Sequence, residues 1–169
     1  MEGNDCIRIT SWNVASLRST WGNGLKTYVE VTKPDILCIQ ETKMYQTATL
    51  PLNTFKLPGY IGYFYHAEKK GYSGTAIYTR IEPISAKPSF EDPDGRCITL
   101  EFDTFFLVNT YTVNAGDGLK RLGYKMETFL PKLEEHINEL RTKKTVILTG
   151  DLNVAHEDID IHTPEGHDK

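Results

Sequence analysis

Asp151 and Asn153 follow an apolar run, Val146-Ile147-Leu148-Thr149-Gly150, and their spacing of two suits chemistry on a phosphate. In an extended backbone, residues i and i+2 project from one face about 6.5 to 7 Å apart. A carboxylate, which can activate water, and an amide, which can donate to an anionic oxygen, would then stand side by side. Asp and Asn are poor strand formers, and such a local conflict is expected at a functional site. An Asx turn closing the strand explains the same residues, and the motif alone divides evenly between the two accounts. Three more apolar runs finish in polar residues of similar type. Ile7 and Ile9 lead to Ser11-Trp12-Asn13, Ile36-Leu37-Cys38-Ile39 leads to Gln40-Glu41-Thr42-Lys43, and Phe105-Phe106-Leu107-Val108 leads to Asn109-Thr110-Tyr111.

These strand ends act together only if the fold gathers them on one edge. Leu25, Tyr28, Val29 and Thr32 fall at helical spacing, and Pro34-Asp35 stops that helix. Leu122, Met126, Phe129, Leu130, Leu133, Ile137 and Leu140 repeat at the step of an amphipathic helix. Each helix lies between two strand patterns, which predicts two βαβ units in a mixed-sheet α/β fold. Strands joined by a helical crossover run parallel, so their C-terminal ends share the edge where ligands of open α/β sheets collect. Asn13 is expected to meet Glu41 there, and Tyr111 to meet Asp151 and Asn153. Between the units, residues 59–65, 74–80, 96–102 and 105 onward read as antiparallel strands. Turn chemistry at Lys69-Lys70-Gly71, Pro83 to Pro88, Asp92-Pro93-Asp94-Gly95 and Asp103-Thr104 separates them. Met44 to Pro58 is expected to be an irregular loop or short helix. Residues 1–155 form the domain, and 156–169 are expected to be a polar, poorly ordered tail.

With 169 residues, 39% hydrophobic and 25% charged, the chain is long enough for one domain with a core. A net charge of -4 argues against a carpet of nonspecific phosphate contacts, and leaves nucleic acid handled through a metal and a few placed cations. The dense basic cluster, Arg141, Lys143 and Lys144, falls at a helix C-terminus, where it complements the dipole. Cys6, Cys38 and Cys97 have no metal-ligand spacing and read as small buried apolar residues. Their odd count fits a reducing compartment, and no apolar run reaches transmembrane length. The expected location is therefore the nucleus or cytoplasm, not the secretory route, with no membrane partner. His156, His162 and His167 stand near Glu157, Asp158 and Asp160, at spacings that fit neither a helical ligand pair nor a finger. That segment reads as a solvated acidic tail.

Several stretches together resemble one known family. They are Ser-Trp-Asn-Val at 11 to 14, Pro-Asp-Ile-Leu-Cys-Ile-Gln-Glu-Thr-Lys at 34 to 43 and Gly-Tyr-Ser-Gly at 71 to 74. Val-Asn-Ala-Gly at 113 to 116 and Gly-Asp-Leu-Asn-Val-Ala-His at 150 to 156 complete the set. In order and spacing the chain resembles exonuclease III-type apurinic/apyrimidinic endonucleases of the endonuclease/exonuclease/phosphatase superfamily. The resemblance implies two sheets packed face to face between helices, and Mg²⁺-dependent incision of duplex DNA 5′ to abasic sites in base excision repair, with Mn²⁺ as an alternative ion. It implies Glu41 as the metal ligand, with Asn13, Asp151 and Asn153 around the ion. It also implies Asp151 as the group that orients or deprotonates the attacking water, and Asn153 and Tyr111 as donors to the scissile phosphate, with Asn13 in support. Asn114, Tyr72 and Ser73 would contact DNA, with Lys43 and Arg18 as weaker phosphate contacts.

The chain departs from the family pattern in places. Ala15 stands where members usually carry an acidic residue, which removes a metal ligand or its supporting carboxylate. Asp117 stands where a relative of human type has an arginine that probes the duplex. The family's C-terminal Ser-Asp-His motif is not in this sequence, so the chain looks like the N-terminal portion of such an enzyme. Impaired activity is expected, together with an apolar sheet face left for the missing half or another chain to cover. Two other readings stay open: a catalytically inactive remnant that binds DNA or a partner, and a superfamily phosphodiesterase acting on RNA or a phospholipid head group.

Overall fold

The computed structural model describes residues 6–44 and 54–160. Along the chain these form β1 (Ile9–Asn13), α1 (Leu17–Thr20), α2 (Lys26–Thr32) and β2 (Ile36–Gln40). There follow β3 (Ile61–Tyr65), β4 (Thr75–Thr79), β5 (Ser85–Pro88), β6 (Cys97–Glu101) and β7 (Phe105–Tyr111). The remainder comprises α3 (Leu122–Tyr124), α4 (Leu130–Arg141) and β8 (Thr145–Asp151). Among the described residues no helix is long and apolar enough to cross a membrane.

The strands build two four-stranded mixed sheets, ordered β1-β2-β4-β3 and β5-β6-β7-β8. Each contains one parallel pair, β1 with β2 and β7 with β8, and each pair is joined through helix. Both expected βαβ units are therefore present. Side-chain alternation sets the layers. In β2, Leu37 and Ile39 pack with Leu17, Leu25 and Val29 of the helical layer, while Ile36 and Cys38 face the other sheet. In the second sheet, Ile98, Leu100 and Leu107 turn inward, and Cys97, Phe106 and Val108 pack on Phe129, Leu133 and Leu140. Helix, sheet, sheet and helix thus stack in order, with both inner sheet faces buried against each other. Each such buried side chain contributes about 1.5–3 kcal/mol relative to exposure.

Several expectations need correction. Among the described residues, the apolar side chains at the centre of each sheet are covered on one side by helix and on the other by the partner sheet. Exposed apolar side chains are scattered, among them Ile61 on β3, Leu148 on the outermost strand β8 and Leu152 just past it. The Pro83 to Pro88 segment is not only a turn. It includes edge strand β5, where Pro88 can sit because the open side of an edge needs no donor. In the long helical stripe, Leu122 and Met126 face solvent and Lys125 takes the buried position. Cys38 and Cys97 are buried as expected, whereas Cys6 is exposed. Of the expected tail, Asp158–Asp160 forms a 3-10 turn, while residues 161–169, with His162 and His167, lie outside the described residues. So does 45–53 of the expected loop.

Candidate active site

Asn13 ends β1, Glu41 follows β2, and Tyr111 and Asp151 end β7 and β8. Parallel pairing sets Asn13 beside Gln40 and Tyr111 beside Asp151 at the same edge. A buried amide pair holds the two sheets together there. Gln40 Nε2 donates to Asn109 Oδ1 at 2.7 Å, and Asn109 Nδ2 donates to the Ile39 and Ala76 carbonyls, both at 3.0 Å. These amides are one residue from Glu41 and two from Tyr111. The β8 end is fixed by Gly150, whose φ is +137° and whose added Cβ would lie 1.9 Å from Thr110 O. Only glycine lets Asp151 come so close to β7.

The backbone is strained around this rim. Ala15, Glu41, Lys43, Ser73 and Asn153 all have positive φ, at a cost of order 1 kcal/mol or more each. Such residues gather where function over-determines geometry, and here they surround the strand ends.

Asn13 is the hub. Its Nδ2 donates to Glu41 Oε1 at 3.0 Å and to Asp151 Oδ2 at 2.7 Å, while its Oδ1 accepts the Ala15 N–H at 2.9 Å. The other Asp151 oxygen accepts the Asn153 N–H at 2.9 Å. Glu41 Oε2 pairs with Lys43 Nζ at 3.1 Å. Partial burial pushes the Glu41 carboxyl up, but hydrogen bonds from Asn13, Tyr111 and Lys43 outweigh it and hold the group below its ordinary value. Burial, then the bond to Glu41, pushes the Tyr111 phenol up to about 12. Tyr111 is thus a neutral donor at physiological pH, beside two carboxylates.

The structure brings together Asn13, Glu41, Tyr111, Asp151 and Asn153, with Asn114 beside them, its Nδ2 donating to Asn153 Oδ1 at 3.2 Å. It does not orient Asn13 or Asn153 as metal ligands. The Asn13 amide turns its nitrogen to both carboxylates, and the Asn153 oxygen is taken by Asn114 while its Nδ2 donates to Thr112 O at 2.7 Å. Ser73 is also misplaced for DNA, since its hydroxyl is buried and the residue is only 2% exposed. Lys43 is committed to Glu41, and Arg18 stays exposed on α1. Among the described residues, no group of three or more His, Cys, Asp or Glu side chains is placed to hold a metal. Ala15 at the family's usual acidic position fits that count. The oxygen donors on hand are the carboxylates of Glu41 and Asp151, and hard oxygens of this kind suit Mg²⁺, which takes one or two carboxylates and keeps its waters.

Other residues were not singled out by the sequence. Arg96, 2% exposed, donates from Nε to Asp94 at 3.0 Å and from Nη2 to the Tyr72 hydroxyl at 2.9 Å, with its guanidinium 4.8 Å from the Tyr111 ring centre. Arg121 also donates to the Tyr72 hydroxyl. The Tyr72 hydroxyl oxygen therefore accepts from two arginines. The available signal was a charged residue opening an apolar strand after the Asp92-Pro93-Asp94-Gly95 turn. A cavity of about 450 Å³ lined by Lys26, Lys33, Tyr60 and Arg80 lies at the opposite end of β2 and includes no rim residue.

The chain is similar to known proteins over most of its length. A model described as the Endonuclease/Exonuclease/phosphatase family matches residues 10–169. A DNA-(apurinic or apyrimidinic site) endonuclease of Dictyostelium discoideum is 40% identical over 171 residues, covering 96% of this chain and 46% of that protein. An exodeoxyribonuclease of Bacillus subtilis is 39% identical over 166 residues, covering 95% and 64%. The crystal structure of an AP endonuclease from Leishmania major superposes with a TM-score of 0.78 at 31% identity, over 90% of this chain and 56% of that one. The chain thus spans about half to two thirds of the length of these relatives.

Proposed function

Because the chain belongs to the endonuclease/exonuclease/phosphatase family, we propose that its protein is a metal-dependent DNA repair nuclease that cuts the backbone 5′ to abasic sites. The observation that carries the reading is the Asn13 side chain bonded at once to Glu41 and Asp151, at 3.0 and 2.7 Å. It joins the ends of strands from different sheets into one polar rim. The relatives named as abasic-site endonuclease and exodeoxyribonuclease support the substrate class.

Glu41 would hold Mg²⁺, or Mn²⁺ in its place, with Asp151 across Asn13 from it. When bound, the ion supplies positive charge to the nonbridging oxygens of the phosphate. Asp151 accepts the proton of the attacking water. Its two oxygens are fixed by Asn13 and by the Asn153 N–H, so the carboxylate need not reorganise. The second Nδ2 proton of Asn153 donates to a phosphate oxygen, and the Tyr111 hydroxyl, which donates to Glu41 in the free site, would turn its one proton to phosphate once Glu41 holds the ion. Tyr72, its oxygen already taken by two arginines, donates to a DNA phosphate further along.

The test is Mg²⁺-dependent nicking of a duplex with one abasic site, set against an intact duplex, a recessed 3′ end and a 3′ phosphate. Preferential abasic nicking that Asp151→Asn abolishes is the expected result. Absence of any cleavage, with salt-dependent DNA binding retained, would make the protein a binding module instead. Cleavage confined to RNA or to phospholipid head groups would move it to another branch of the superfamily.

A further inference from the structure

Lys125 occupies a position that the helical pattern reserves for an apolar side chain. It opens a widened helical turn, Lys125–Phe129, in which it and Phe129 are the buried residues. Only 5% of it is exposed, while its neighbours Tyr124 and Met126 face solvent. A buried ammonium needs partners, and this one finds two main-chain carbonyls, Asn153 O at 2.8 Å and Leu152 O at 3.4 Å. Both carbonyls belong to the turn that carries the rim. That turn is costly by itself, because Asn153 is left-handed with φ 49°. Its N–H closes back on Asp151 Oδ1 at 2.9 Å. The front of the turn therefore presents the carboxylate, and the back is gripped by Lys125.

We propose that Lys125 is a positioning residue of the rim: by holding the Leu152 and Asn153 carbonyls, it keeps Asn153 left-handed and the Asp151 carboxylate aimed at the phosphate. The proposal rests on reading the rim as a phosphodiester-hydrolysing site. It differs from simple space filling in a way that substitution can separate. Methionine matches the length of the lysine stem and loses both hydrogen bonds, whereas arginine keeps charge and donors.

The experiment combines residue-resolved amide exchange with steady-state nicking kinetics. In Lys125→Met, exchange at the Asn153 amide should accelerate by about tenfold or more while the β7 amides of Leu107 and Val108 keep their protection. The kcat should fall by about 10- to 100-fold with KM changed less than about twofold, as for other supporting-shell losses. Lys125→Arg should restore both. If Lys125→Met does not fold, Lys125→Leu, which also lacks a donor, takes its place with the same readouts. An Asn153 amide as protected as in wild type, or a loss that arginine does not rescue, overturns the proposal. Should the wild-type protein not nick DNA at all, the nuclease reading falls on its own, and Asn153 exchange still decides the role of Lys125.

Discussion

Asn13 Nδ2 lies 2.7 Å from Asp151 Oδ2, a bond between residues 138 positions apart that joins the ends of β1 and β8. The same nitrogen reaches Glu41 at 3.0 Å, so one neutral amide keeps two carboxylates apart and aligned. Asn13→Ala should lower the nicking kcat by about 10²- to 10³-fold, the loss typical of a preorganised donor. Asn13→Asp should be at least as damaging, because a third anion replaces the donor between two others. Single-turnover rates on an abasic duplex test both, and a wild-type rate in either variant would remove Asn13 from the machinery.

Glu41 is the proposed ligand of the ion, and its hydrogen bonds favour the charged form. Glu41→Gln should weaken Mg²⁺ binding by at least about tenfold, read by calorimetric titration as well as by the Mg²⁺ dependence of nicking. Its acid behaviour follows from the direction of the shift. A carboxyl held below its ordinary value of 4.5 adds stability that is fully present above that pH and is lost as the pH falls through the lower folded value. The difference in denaturation midpoint between wild type and Glu41→Gln should therefore shrink below pH 4.5. A constant difference across that range contradicts the assignment.

The sequence made the rim legible because its logic is local in each strand and topological between them. Polar ends on apolar runs marked Asn13, Glu41, Tyr111 and Asp151, and the parallel crossovers placed those ends on one edge. What stayed hidden depended on which way single side chains turn. Lys125 drew no reading at all, because the apolar stripe of its helix runs through Leu122 and Met126 when spaced as a regular α-helix. Ser73 was expected to contact DNA, yet the residue is 2% exposed and its hydroxyl is buried. Gln40 and Asn109 carried no signal beyond polarity, since the contact between sheets that pairs them has no sequence spacing. Strand β5 was missed because its prolines look like turn residues until an edge is available to hold one.

The Gln40–Asn109 pair should behave as a clamp between the sheets. Asn109→Leu removes the 2.7 Å acceptor of Gln40 Nε2 in a position only 1% exposed, leaving it Ser11 Oγ at 3.1 Å alone and one of its two protons unpaired. The expected cost is about 1–3 kcal/mol in urea denaturation. Adding Gln40→Leu should recover part of that loss, because replacing both partners by apolar groups is milder than orphaning one. Strict additivity of the two single changes would show that the amides do not act on each other.

Gly150→Ala should be among the most damaging small substitutions in the chain. A Cβ built at φ +137° meets Thr110 O at 1.9 Å, and backbone cannot move aside as a flexible side chain would. The expected destabilisation is about 3 kcal/mol or more, from strain and clash together. The β7–β8 pairing that sets Tyr111 beside Asp151 would have to shift, so nicking should fall even where the variant remains folded. A denaturation midpoint close to wild type would mean that the close approach of β8 to β7 at this point is not required.

Tyr111 offers a spectroscopic test that needs no activity. An ordinary phenol ionises near 10, and burial together with the bond to Glu41 moves Tyr111 to about 12. Because the folded protein holds this proton more tightly than the unfolded chain does, the associated stability is whole below pH 10 and is lost as the pH rises through 12. The difference between the alkaline absorbance titrations of wild type and Tyr111→Phe should therefore show one phenol ionising close to 12. Glu41→Gln should bring that transition down, since a neutral amide no longer repels the phenolate. On the proposed mechanism the same phenol stays protonated through neutral pH and is available to donate a hydrogen bond to phosphate, so Tyr111→Phe should reduce kcat with no change in rate profile between pH 7 and 9. A difference titration centred near 10 would place Tyr111 in water, away from Glu41, and would take with it the role of a fixed neutral donor.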